Sequence, residues 1–176
     1  MEQNTSLKSK NKVLTIKELV IFSLLGAMMF TSKLITEAFP NIHLLGMFIV
    51  AFTAVYRKKA LYPIYLFVFL SGIFYGFPTW WLPYLYIWTV LWAMVMLIPQ
   101  NLSDNKKSIL YIAVCSLHGL LYGTLYAPAQ AILFGLSFNK MIAWIITGFP
   151  FDLIHAVSNA LCGFLIIPII KVLKRA

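Results

Sequence analysis

The sequence predicts an all-α integral membrane protein of six transmembrane helices with both termini in the cytoplasm. Three observations carry the prediction. Of the 176 residues, 61% are hydrophobic and 11% charged, and the mean hydropathy is +0.87; a soluble domain carries about 25% charged residues. A core of this size could not hide so much apolar surface from water, so lipid must be the solvent for much of it. The apolar residues fall in runs near the ~20 residues that span a bilayer. Finally, the formal charge of +9 sits in short clusters between those runs, the pattern by which membrane proteins orient. It is not a patch on a polar fold, so nucleic acid is not an expected partner.

Residues 1–15 form a basic N-terminus with Lys8, Lys10 and Lys12, and residues 16–173 form a single transmembrane domain. The first run, Ile16 to about Thr36, is too long for the apolar core of a signal peptide and reads as a retained helix. The break at Pro40-Asn41 leads into a second run, Ile42 to Tyr56, closed by Arg57-Lys58-Lys59. Leu61 to Phe77 makes the third, Pro78-Thr79 a turn, and Trp80 to Ile98 the fourth. A polar loop rich in turn formers precedes the fifth, Ser108 to Leu136. The last stretch, Met141 to Leu173, exceeds one span. Gly148-Phe149-Pro150 divides it into an outer or re-entrant segment and a sixth helix beginning at about Phe151.

The basic residues test this topology independently. Lys8, Lys10, Lys12, Lys17, Arg57, Lys58, Lys59, Lys106, Lys107, Lys171, Lys174 and Arg175 all fall on one side of a six-helix arrangement, leaving Lys33 and Lys140 on the other. The positive-inside rule puts the larger group, and both termini, in the cytoplasm of a multi-pass cell-membrane protein.

With that orientation, polar and aromatic groups converge on the outer half. Trp80, Trp81, Tyr84 and Trp88 mark the fourth helix, and Tyr122, Tyr126 and Gln130 the fifth. Trp80 and Trp81 suit an interfacial belt, but the stripe continuing inward through Tyr84 and Trp88 also suits a stacking wall for a flat ring. Asp152, His155 and Asn159 share one helical face. A carboxylate in a membrane helix costs several kcal/mol unless paired or hydrated. Two readings stand: a polar face for a ligand, or an Asp152–His155 pair that packs the helix, with Asp152 capping it after Pro150. Asn41 and His43 either cap the second helix or close the pocket. His118, beside Gly119 and Gly123, suits a helix-packing hydrogen bond.

Ser23, Ala27 and Thr31 repeat every fourth residue in an otherwise bulky first helix. Such a stripe permits close helix approach, either within the monomer or to another membrane subunit. Cys115 and Cys162 lie inside apolar runs and read as thiols rather than a disulfide or metal ligands. No metal or cofactor is expected.

The segments "KELVIFSLLGAMMF", "PNIHLLGMF" and "GFPFDLIHAVSN", with the size and the helix-1 stripe, resemble the substrate-binding S components of energy-coupling factor (ECF) vitamin transporters. The resemblance covers Ile16 to Leu173, although the usual alanines of the stripe are replaced by Ser23 and Thr31 at its ends. It implies capture of a vitamin or related micronutrient in an outward-facing pocket and delivery to a transmembrane coupling subunit driven by two cytoplasmic ATPases. On that basis Trp80, Trp81, Tyr84, Trp88, Tyr126, Gln130, Asp152, His155, Asn159, Asn41 and His43 are candidate substrate contacts, and Ser23, Ala27 and Thr31 candidate docking residues. The S component would have no ATPase of its own, and the chain has no G-x-x-x-x-G-K-[ST]. Two alternatives belong to other classes. A channel or stand-alone transporter would want polar groups along the full depth of a path. An intramembrane enzyme using Asp152 and His155 would lack H-E-x-x-H, a G-x-S-x-G elbow and a second acidic cluster.

Overall fold

A computed structural model describes residues 14–39 and 42–175. Asn41 and the basic residues Lys8, Lys10 and Lys12 lie outside the described residues. Every regular element is helical: α1 (Ile16–Thr36), α2 (Leu45–Tyr56), α3 (Leu61–Tyr75), α4 (Tyr84–Met96), α5 (Asp104–Leu120), α6 (Tyr122–Phe134), α7 (Phe138–Gly163) and α8 (Ile166–Leu173), with single 3₁₀ turns at Arg57–Ala60 and Thr79–Trp81. Helical hydrogen bonds cross two of the joints, from Leu125 N–H to the Leu121 carbonyl and from Ile169 N–H to the Leu165 carbonyl. The eight pieces therefore make six rods.

Three helices are long and apolar enough to cross a membrane: Ile16–Thr36, the continuous Asp104–Phe134, and Phe138–Gly163. They point to a multi-pass membrane protein. The outer surface agrees, since large apolar side chains such as Ile16, Leu24, Ile35, Ile132, Ile146 and Leu161 are more than 60% exposed, far beyond the scattered apolar exposure of a soluble monomer. At about 1.5 Å per residue, α2, α3 and α4 are shorter than a ~30 Å hydrocarbon core.

Local chemistry sets the ends. Thr15 accepts from Glu18 N–H and the Glu18 carboxylate accepts from Thr15 N–H, a capping box at the start of α1. Gly76 (φ 77°) ends α3 in the left-handed region that an L side chain resists. The non-glycine Arg57 (φ 53°) is held there from both sides: it donates to the Met96 carbonyl and accepts from Trp92 Nε1.

The rods alternate in direction. Glu18 at the start of α1 pairs with Lys59 beyond α2, Arg57 ties down the end of α4, and Lys107 of α5 faces the same cleft as Lys171 of α8 and Lys174. These contacts gather the basic residues at one end. At the other, Lys33 of α1 meets Tyr75 of α3, Tyr75 packs on Trp80, and Tyr126 of α6 packs on Trp144 of α7. Leu45 through Ala54 of α2 are all buried, so α2 runs through the middle of the bundle.

One expectation is corrected. No re-entrant segment precedes Pro150 and no new helix begins at Phe151; α7 runs unbroken from Phe138 through Pro150 to Gly163. Proline removes one hydrogen bond and crowds the preceding turn, but apolar helices tolerate it because neighbouring helices and small local adjustments satisfy the freed group, and the strong drive to keep every other backbone bond carries the helix through. Asp152 therefore does not cap α7, which starts after Ser137.

Candidate functional site

At the end remote from the basic clusters, a cavity of about 350 Å³ opens among α4, α6 and α7, lined by His43, Trp80, Tyr84, Tyr122, Gly123, Tyr126, Trp144, Gly148, Phe151, Asp152 and His155. The α7 contribution at 144, 148, 151, 152 and 155 is one face of a continuous helix. Tyr126 and Trp144 stack nearly parallel across the opening, 6.2 Å apart and inclined by 18°. Trp80, Tyr84 and Trp88 form an edge-to-face ladder, with centroids 5.5 Å and 5.2 Å apart. Trp80 and Tyr84 of this ladder line the cavity.

Asp152 is 4% exposed. Its Oδ1 accepts from the Gly123 amide at 2.8 Å. The chain steps out of helical geometry at Leu121 (φ −92°, ψ 1°), which leaves Gly123 in the first turn of α6, where amide donors need outside partners and the helix dipole favours an anion. Asp152 thus caps a helix, but α6 and not its own. A Cβ at position 123 would lie 2.5 Å from Asp152 Oδ2, so any other residue would force the carboxylate to shift.

His155 lies on the same face one turn on. Its ring is 4.8 Å from Tyr122 and 5.4 Å from His43. Both nitrogens of His155, and Nδ1 of His43, are buried without a hydrogen-bond partner among the described residues. No Asp152–His155 hydrogen bond forms; the carboxylate is committed to Gly123 and the histidine faces the cavity. Buried polar atoms with no partner are uncommon in native proteins and mark places where a water or ligand belongs.

Below this chamber the bundle closes. Trp88, His118, Gly46, Gly119 and Asn159 surround a void of only about 10 Å³. His118 Nε2 donates to the Ile87 carbonyl at 2.9 Å and Asn159 Nδ2 to the Cys115 carbonyl at 3.0 Å. Cys115 and Cys162 are free thiols, the first fully buried. A second cavity of about 310 Å³ adjoins the chamber, sharing His43, Trp80 and Tyr84 with it and adding Lys33, Glu37, Phe39 and Tyr75.

Of the residues singled out from sequence, Trp80, Tyr84, Tyr126, Asp152, His155 and His43 line the chamber. Trp88 and Asn159 are its floor. Trp81 lines neither cavity: it packs on Phe77 at 5.0 Å and turns toward α3, where it donates to the Val68 carbonyl at 2.7 Å. Gln130, one turn beyond Tyr126 in α6, lines neither as well. Tyr122, Trp144, Gly148 and Phe151 join the lining. Ser23, Ala27 and Thr31 are exposed; the buried face of α1 is Phe22, Leu25, Gly26, Met29, Ser32 and Lys33, with Gly26 in close contact with Leu66 of α3. The stripe therefore does not pack within the monomer. Among the described residues no cluster of three or more His, Cys, Asp or Glu could hold a metal ion. No protein-family model matches the chain, and no curated protein or solved structure matches it.

Proposed function

We propose that this protein is the substrate-capture subunit of an ECF-type importer, with six transmembrane helices, both termini cytoplasmic and the chamber open to the outside. The observation that carries the reading is the chamber itself: about 350 Å³, walled by tyrosine and tryptophan and edged by partnerless nitrogens of His43 and His155. That combination of apolar walls with a few convergent polar groups is what a small-molecule site needs. A flat-ringed vitamin or similar micronutrient suits it.

Two further features support the assignment. The alternating rods put Lys59, Arg57, Lys107 and Lys171 at the end opposite the chamber; with the basic end in the cytoplasm, the chamber faces outward. The exposed Ser23, Ala27 and Thr31 leave a small-residue face on α1 free for a transmembrane coupling subunit, itself driven by two ATPases. The closed floor under Tyr84 and His155 favours capture over a channel, because a pore would continue where Trp88, His118 and Asn159 fill the path.

The test is mass spectrometry of small molecules retained by purified protein, followed by titration of the identified compound into the parent, Tyr84→Ala and Trp144→Ala. Each aromatic contact contributes about 0.5–1.5 kcal/mol beyond area burial, so each truncation should weaken binding roughly 2- to 12-fold. Parental affinity in both variants would remove the chamber from consideration.

A further inference from the structure

The cavity beside the chamber contains an unusual cation. Lys33 is 8% exposed although it lies in the last turn of α1. A lysine near the end of a membrane helix ordinarily extends its ammonium to the interface and water. Lys33 instead folds inward under two rings, 4.2 Å from the centroid of Tyr75 and 5.3 Å from that of Trp80. Its Nζ donates to Tyr75 Oη at 3.1 Å, and that hydroxyl donates in turn to Glu37 at 2.9 Å.

Glu37 does not neutralise it well. The Lys33–Glu37 separation is 3.9 Å, and the Glu37 side chain is 54% exposed, so solvent screens most of the attraction. An ammonium has three donors, and Tyr75 occupies one. A buried cation with partial compensation is expensive in a membrane protein and marks a place where a partner binds. The remaining donors stand in a cavity of about 310 Å³ that shares Trp80, Tyr84 and His43 with the ring-binding chamber.

We propose that Lys33, held in place by Tyr75, forms a subsite for an anionic oxygen group, carboxylate or phosphate, on the molecule whose ring occupies the chamber. The inference rests on the capture reading and narrows its substrate class: a flat ring bearing an anionic tail, lying across Trp80 and Tyr84. Glu37, at the mouth, weakens the attraction and leaves the anion releasable.

The test combines retained-ligand identification with matched probes, each pair differing in charge: nicotinate and nicotinamide, indole-3-propionate and its amide, pyridoxine 5′-phosphate and pyridoxine. The retained molecule should carry a carboxylate or phosphate, and the charged member of the binding pair should bind ten- to a hundredfold tighter, as one charge-assisted hydrogen bond implies. Which pair responds distinguishes carboxylate from phosphate. Lys33→Met should abolish the preference and Lys33→Arg keep it. Glu37→Gln should tighten binding of the charged member severalfold, a gain that misfolding cannot mimic. Equal affinity within the pairs, a preference that survives Lys33→Met, or an uncharged retained molecule would each overturn the subsite while leaving the capture reading in place. If the parent retains nothing and binds no probe, the capture reading fails and the subsite with it.

Discussion

Replacing Gly123 by alanine tests how the polar side of the chamber is held. Elsewhere in a helix this exchange stabilises by about 0.8–1 kcal/mol, because glycine loses more backbone entropy on folding than alanine. Here the new Cβ would sit 2.5 Å from Asp152 Oδ2 and 3.0 Å from Oδ1, too close for either oxygen to stay. The carboxylate must leave, its 2.8 Å bond from the Gly123 amide is lost, and a buried acceptor and a helix-start donor are stranded together. That loss costs about 1–3 kcal/mol against the propensity gain of about 0.8–1 kcal/mol, leaving a net destabilisation of up to about 2 kcal/mol. Gly148→Ala is the matched control on the facing helix: nothing lies within 4 Å of its Cβ, so propensity alone operates and the variant should gain up to about 1 kcal/mol. Thermal unfolding in detergent, followed by the fluorescence of the five tryptophans, reads both. At about 2–4 °C per kcal/mol for a chain of this size, the two variants should differ by roughly 5 °C, with Gly123→Ala below the parent. Equal stability of the two would show that Asp152 is not anchored on α6.

Two further outcomes bear on orientation and assembly. In a variant with Cys115 and Cys162 replaced by alanine, single cysteines at Lys58 and Lys106 should react with a membrane-impermeant thiol reagent only from the cytoplasm, and one at Thr79 only from outside; labelling of position 58 from outside would invert the chamber. Ala27→Trp, on the exposed stripe, should leave ligand affinity and unfolding temperature at parental values while abolishing co-purification with a coupling subunit; a fall in stability would place Ala27 in the monomer core.

Much of this architecture was legible because lipid imposes simple rules. The first helix has the bounds its apolar run predicts, since Thr15 and Glu18 mark its start unambiguously. The lysines and arginines flanking the apolar runs do gather at one end of the bundle, where Glu18 pairs with Lys59 and Lys107 shares a cleft with Lys171. Errors arose where a rule learned in water was carried into lipid. Treating Pro150 as a terminator hid the face that carries Trp144 and Gly148 into the chamber, although a helix drawn through the proline places them about two turns and one turn from Asp152. The spacing of Asn159 from Asp152 did give a shared face, but two turns is about 10 Å of depth, enough to move Asn159 from the chamber into its floor. Trp81 adjoins Trp80 in sequence, but its indole turns to the Val68 carbonyl of α3 instead of the chamber. The meeting of Lys33 with Tyr75 joins the ends of two helices 42 residues apart and has no local signature.

The position of α2 has a consequence for how this sequence can vary. Its environment from Leu45 to Ala54 is neither water nor acyl chain but the side chains of other helices. A lipid-facing residue such as Leu24 or Ile132 is constrained only to be apolar, because a fluid adapts to any shape. A residue on α2 is constrained by volume. A methyl group at Gly46 would press to 2.8 Å from Cys115 Sγ and 3.1 Å from Asn159 Oδ1, whereas Thr53, whose hydroxyl returns to the Ile49 carbonyl, shows that a polar atom is admissible there if it is satisfied within the helix. Hydrophobicity alone therefore governs the rim of this bundle, whereas its axis is restricted in size as well and admits a polar atom only where the helix itself supplies the hydrogen bond.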